Sequence, residues 1–314
     1  MNEDLYVSAI KSKSHSSYTD TQQVTITPTL GAELLTDGAL ENWASATNLT
    51  SWGESVTGTS TITQEAAIVH GGSSAARFTI DASNSAANIQ PSSLALTAQG
   101  WHRFVVWARA VSGAPAISFG PKSPPTPGMS LRTLDTTFRE YTATRRQGTD
   151  TGCIFQRSTA TSLEFVLDDL SIKRITLATC LATAKRMNNP NKIVKAALTM
   201  GDTNRVYMGG VAARIDNPLA PQNGLYAYHD GAQVFLDKQV AGVWTNLLAV
   251  TAAYAAGAYV EIRCNGTSVE LYYGGTQRGA TQTVSDATVI SNLWFSRFAT
   301  ENGARLDNLS IQPV

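Results

Sequence analysis

The chain has 314 residues, 24 basic against 24 acidic, and only 15% of its residues are charged. That length favours two domains of ordinary size, and the nil net charge removes any bulk electrostatic case for nucleic acid or an anionic membrane. Three cysteines far apart, Cys153, Cys180 and Cys264, give neither a disulfide framework nor metal-ligand spacing, which leaves room for at most one bonded pair.

Residues 1–30 are rich in Ser, Thr, Lys and Gln and read as an N-terminal arm, with one alternating patch, QVTITPTL, of the length of a lone strand. The opening MNEDLYVSAIKSKSHSS has no basic start followed by an apolar run, so no secretory signal is expected. The most apolar stretch, VTAAYAAGAYV, is too short to span a membrane, and no membrane insertion is expected. From Gly31 the texture changes to short Val, Ile, Phe and Trp-rich runs separated by Gly, Asn, Asp, Ser and Pro clusters, which predicts an all-β sandwich or barrel.

The clearest strand is WHRFVVWARA, residues 101–110. Alternation puts His102, Phe104, Val106 and Ala108 on one side, suited to a core, and Trp101, Arg103, Val105, Trp107 and Arg109 on the other. The proline-rich SGAPAISFGPKSPPTPGMS that follows reads as a surface loop, after which FREYTATRR, GCIFQ and LEFVLDDLSIKRI resume the sheet.

A second unit begins near Leu177 without a Gly/Ser linker, and its expected strands are GGVAARI, GLYAYHD, AQVFLDKQV, AYVEIRC, SVELYYG, NLWFSRF and ARLDNLSI. Asn265-Gly266 is a strong two-residue hairpin signal. A turn centred on that pair sets Arg263 against Ser268, Ile262 against Val269 and Glu261 against Glu270.

Residues 167–172 read LDDLSI and residues 306–311 read LDNLSI, each closing a segment of similar flavour. Alternation within LDDLSI leaves neither face purely apolar, so an acidic residue points partly inward and needs a metal, an arginine or several hydrogen bonds.

In order, ELLTDGALENW, GSSAARF, LTAQGWHRFVVWARA and FVLDDLSIKRI resemble a carbohydrate-binding-module-like jelly roll of the type found beside xylanases and glucanases, over residues 31–176. Over residues 177–314, GGVAARID, GLYAYHDGAQVFLDK, GVWTNL, VEIRCNGTSVELYYGG and ARLDNLSI resemble a concanavalin-like or laminin-G-like sandwich. The resemblance implies two tandem antiparallel β-sandwich (jelly-roll) domains behind the arm, with each hexamer in a closing strand. It also implies a structural calcium held by Glu41 and Asp168. The chain departs from that pattern at Ala39, where an acidic residue is common, and calcium prefers six to eight oxygens.

Catalytic patterns are missing. No Glu-x-Asp-x-x-Glu strand of a concanavalin-type glycosidase occurs, and Glu261 and Glu270, facing each other only in the register above, have Arg263 beside them. The histidines His15, His70, His102 and His229 lack zinc spacing, GGTQRG and HGGSS read as turns, and the triplets at Asn48, Asn265 and Asn308 read as accidental glycosylation signals. What remains is surface recognition. Sugars have polar edges and apolar faces, so their sites combine an aromatic ring with planar hydrogen-bonding groups. Trp107 between Arg103 and Arg109 fits this, joined by Tyr141 and Gln156 if their strands neighbour it; stacking against another subunit is the competing account. Tyr226, Tyr228 and Tyr273 are similar in the second unit.

The expected function is a non-catalytic structural or adhesive protein of a bacteriophage virion, of the head-decoration or tail-fibre type. Its expected partners are other virion proteins and host surface glycans, and it is expected to be a homo-oligomer. The alternatives are a secreted, extracellular accessory module of a polysaccharide-degrading enzyme, and an enzyme with an unrecognised site.

Overall fold

The computed structural model describes residues 14–81, 87–94, 96–122, 130–147, 152–157, 162–201, 205–206, 208–301 and 303–314. It is built almost wholly of antiparallel strands. Among the described residues the only helical segments are a single turn at Leu177–Cys180 and the four-residue Ala287–Ile290, and no helix is long and apolar enough to cross a membrane. The chain forms two compact units: one runs continuously from Leu30 to Ile175, and the other joins the leading residues to Thr176–Val314.

In the Leu30–Ile175 unit one sheet places its strands in the order Arg139–Arg146, Trp101–Ser112, Leu163–Ile175, Ala75–Ile80 and Thr61–Glu65, with Leu30–Glu33 also on Leu163–Ile175. The second sheet runs Ser130–Thr133, Ala116–Pro121, Cys153–Arg157, Ala87–Pro91 and Trp52–Val56. Inward aromatic rings fill the unit: Phe78 stacks on Phe165 at 4.6 Å, and Phe155 lies 6.1 Å from both Phe119 and Trp52. Burial follows the alternation of WHRFVVWARA, with His102, Phe104, Val106 and Ala108 closed to solvent and Arg103, Val105, Trp107 and Arg109 partly open. Trp101 departs from it and is buried.

The proline-rich stretch expected as a loop contains a strand, Ala116–Pro121, paired to Cys153–Arg157. Ile117 and Phe119 alternate inward there. A proline at a strand's end forfeits little pairing, so the apolar alternation decides the local structure. The segment 123–129 lies outside the described residues.

In the other unit one sheet runs Tyr18–Asp20, Ala304–Pro313, Lys192–Met200, Ala258–Asn265, Ser268–Tyr273 and Thr276–Gln277, and the second runs Leu181–Arg186, Trp294–Ala299, Gly209–Ile215, Gly224–His229, Gln233–Val240 and Val243–Thr251. The segment read as an arm contributes here: Tyr18–Asp20 and Val24–Thr25 both pair with Ala304–Pro313. Arg297, fully buried, clasps this segment through Asp20 Oδ2 at 3.0 Å and the Gln22 carbonyl at 2.8 Å. Residues 1–13 of the arm lie outside the described residues.

The hairpin exists, but its turn sits one residue further on, which moves every pairing by two residues. Asn265 pairs with Ser268, Cys264 with Val269, Arg263 with Glu270 and Ile262 with Leu271, leaving Gly266 and Thr267 as the turn, with Gly266 at φ +56°. Opposed residues share a face, so this register and the expected one, two residues apart, both set Ile262, Cys264, Val269 and Leu271 on one side, and that side faces the core. Glu261 pairs with Tyr272 and not with Glu270.

Both hexamers lie in the last strand of their unit, and both carry a bulge. The ladder between Trp101–Ser112 and Leu163–Ile175 shifts between Val105 and Trp107, opposite Asp168–Ser171. The ladder between Lys192–Met200 and Ala304–Pro313 shifts between Lys195 and Ala197, opposite Asp307–Ser310. An extra residue at a bulge re-phases the strand, so the leucines on either side of Asp168-Asp169 and of Asp307-Asn308 are buried together.

Candidate functional site

The strand Trp101–Ser112 turns Arg103, Val105, Trp107 and Arg109 to the outer side of its sheet, and the turn at His70 completes the surface. The imidazole of His70 lies on the indole of Trp107, with centroids 3.7 Å apart and planes at 14°. Phe138 stands 5.6 Å from His70, and the Arg109 guanidinium lies 5.9 Å from the Phe138 centroid. Arg103 pairs with Glu140 at 3.5 Å. The result is a run of three rings with a guanidinium at one end, partly open to solvent; the His70 side chain is 29% exposed.

Carboxylates fix the turn that presents His70. Asp168 Oδ2 accepts the backbone N–H of His70 at 2.7 Å and of Gly71 at 3.2 Å, and Asp168 Oδ1 accepts that of Asp169 at 2.8 Å. Glu41 Oε1 accepts the N–H of Ser73 at 2.9 Å and of Ser74 at 3.3 Å, and Glu41 Oε2 accepts the Ser73 hydroxyl at 2.7 Å. Gly72 sits between them at φ +61°, where a Cβ would fall 1.8 Å from Glu41 Oε1, so any other residue is strained there and displaces the Glu41 carboxylate. His70 Nδ1 lies 2.6 Å from Asp169 Oδ2, which holds the ring over Trp107. Burial pushes the Asp168 carboxyl above its usual pKa despite the N–H bonds, and the Asp169 charge adds to this. The hydroxyl of Ser73 holds the Glu41 carboxyl below its usual value.

Glu41 and Asp168, which the resemblance assigns to calcium, therefore grip one turn from its two ends. All four of their carboxylate oxygens accept hydrogen bonds, and no group of three or more His, Cys, Asp or Glu side chains suited to a metal occurs among the described residues.

Of the expected sugar-contact residues, Trp107, Arg103 and Arg109 share a face and two do not join them. Tyr141 pairs with Val106, is 1% exposed, and accepts the Asp135 N–H on its hydroxyl at 2.9 Å. Its place opposite a core-facing valine carries it inward. Gln156 belongs to the other sheet, between Ser118 and Asn88. His70 and Phe138 were missed in the sequence, since HGGSS reads only as a turn and neither residue lies near Trp107 along the chain.

In the second unit Tyr226, Tyr228 and Tyr273 are buried. Tyr228 donates to Asp237 at 2.7 Å and Tyr226 to Gln239 at 3.1 Å. Tyr272, partly open to solvent, has the Arg263 guanidinium 3.7 Å from its ring centroid, with Glu261 2.5 Å from Arg263 Nε.

No family model matches the chain, and no curated protein sequence matches it. Among solved structures it is similar to the N-terminal CBM22-1-CBM22-2 tandem domain of Paenibacillus barcinonensis Xyn10C, at 8% identity and TM-score 0.36 over 93% of this chain and 100% of that one. It is also similar to the CBM22-1 xylan-binding domain of the same protein, at 11% identity and TM-score 0.33 over 49% of this chain and 99% of that one. A third likeness is to carbohydrate binding module CBM66 from Bacillus subtilis, at 14% identity and TM-score 0.32 over 43% of this chain and 77% of that one.

Proposed function

We propose that the protein is a non-catalytic adhesive protein of a bacteriophage particle that holds host-surface glycans on the outer face around Trp107. The carrying observation is the run of rings, Trp107, His70 and Phe138, with Arg109 at its edge. Apolar faces of sugar rings stack on such rings while a guanidinium takes their hydroxyls, each ring contact contributing about 0.5–1.5 kcal/mol beyond its buried area, by analogy with aromatic pairs. A single site of that kind is weak. Many copies on one particle raise avidity by about 10²–10⁴ where geometry allows simultaneous contact.

The particle assignment is supported by two sandwiches of low charge density with three buried, unpaired cysteines, a mixture that phage surface proteins resemble. A glycan array with wild type and Trp107→Ala tests the site: loss of about tenfold or more in affinity, or 1.4 kcal/mol, is expected, and unchanged binding removes Trp107. Mass spectrometry of purified particles against culture supernatant tests the location. Presence in particles is expected, and presence in supernatant alone favours the secreted accessory module.

A further inference from the structure

Arg214 is 0% exposed, yet no carboxylate pairs with it among the described residues. Its Nε donates to the Pro190 carbonyl at 3.1 Å and its Nη2 to Asn191 Oδ1 at 3.2 Å, while Nη1 is buried and meets no acceptor. Its backbone is held at φ +51° within a bulge of Gly209–Ile215, between Ala212 and Ile215, and its carbonyl accepts Asn292 Nδ2 at 3.2 Å. The side chain is thus fixed in place without a counter-charge.

A second buried cation, Lys192, follows Asn191 in the chain. Lys192, also 0% exposed, donates from Nζ to the Ser16 carbonyl at 2.5 Å and has no acidic partner among the described residues. Burial lowers its pKa. The Arg214 charge also reaches Cys264: burial pushes that thiol up to about 11, and Arg214 opposes the rise. Closing charged groups away from water without a partner is among the costliest arrangements in a protein interior, and neither cation has an acidic partner among the described residues.

We infer that Arg214 Nη1 binds a small monovalent anion of the halide class at this end of the sandwich. Weakly hydrated monovalent ions suit the place better than phosphate or sulfate, because the site is closed and only one guanidinium nitrogen is open, too few donors to replace the water shell of a multivalent ion. The anion also supports Asn191, whose Oδ1 holds both Arg214 and the Gly266 N–H of the hairpin turn, at 3.0 Å from the latter. Its occupancy therefore ties the bulge at Arg214 to the turn at Gly266.

The test uses the full chain with bromide as probe. Melting temperature is followed against sodium bromide, with sodium sulfate as a reference at equal ionic strength, for wild type, Arg214→Gln and Arg214→Met; crystals grown in bromide are searched for anomalous scattering. Bromide is expected to raise the wild-type melting temperature in proportion to log concentration, against the ordinary ranking in which sulfate stabilises more. The slope is expected to vanish in both variants, with an anomalous peak within hydrogen-bond reach of Nη1. A water at Nη1 without anomalous signal, a peak without a wild-type slope, or equal slopes in wild type and variants overturns the inference. If neither variant folds, the wild-type slope and the crystal decide.

Discussion

Asp169 and Asn308 occupy the same place in two copies of one bulge. Each is in the left-handed region, at φ +44° and +50°. Each donates its backbone N–H to the carboxylate of the aspartate before it, at 2.8 Å to Asp168 and 2.7 Å to Asp307. Short polar side chains tolerate this conformation better than any others except glycine.

The Asn308 position allows a test without the contact that Asp169 makes to His70. Asn308→Gly is expected to change stability by less than about 1 kcal/mol. Asn308→Val forces a branched side chain into the same φ and is expected to cost about 1–2 kcal/mol. Urea unfolding of the two variants measures the difference, and equal midpoints would show that the bulge is not held in this conformation.

Asp168→Ala removes the acceptor of three backbone N–H groups at once. Orphaned buried donors cost about 1–3 kcal/mol each, partly regained by water, so a net loss near ~3 kcal/mol is expected. Release of the turn also lifts His70 off Trp107, which a change in tryptophan emission reports under folding conditions. Retained emission together with retained stability would deny Asp168 its part in holding the turn.

His102 gives a pH dependence of definite sign. Burial pushes its pKa down to about 4, below the unfolded value, so the unfolded chain binds the extra proton between the two. Stability is expected to fall by about 3 kcal/mol as pH drops from about 6.5 towards 4, and to be recovered on raising it. His102→Leu should flatten that part of the profile; an unchanged slope would assign it to other groups.

Arg297→Met leaves Asp20 without its partner and frees the Gln22 carbonyl. Breaking such a buried pair costs about 3–5 kcal/mol. Amide exchange at Tyr18–Asp20 is expected to rise more than exchange in the Gly224–His229 strand, which a merely global loss of stability would not produce.

Much of this fold was legible because strands write their period into the residues: WHRFVVWARA was sorted correctly except for Trp101. The same reasoning failed where a count of residue types replaced the period, as in AISFGP, and where a turn motif was centred one residue early, as at Asn265, because both registers bury the same residues and the face pattern does not tell them apart. The acidic pair in LDDLSI signalled a satisfied buried carboxylate, but not the bulge that satisfies it. The site was legible only along its own strand. Trp107, Arg103 and Arg109 follow from alternation, whereas His70 arrives from a turn 37 positions away, and Tyr141 and Gln156 were assigned without knowing which sheet or face receives them.

Pairing of Tyr18–Asp20 with Ala304–Pro313 has a bearing on biosynthesis. Residues from the opening of the chain must wait for residues near its close before their sheet is complete, while everything from Leu30 to Ile175 is in hand long before. On the ribosome the interposed unit is therefore free to fold first, and the enclosing one forms only as the final strand emerges.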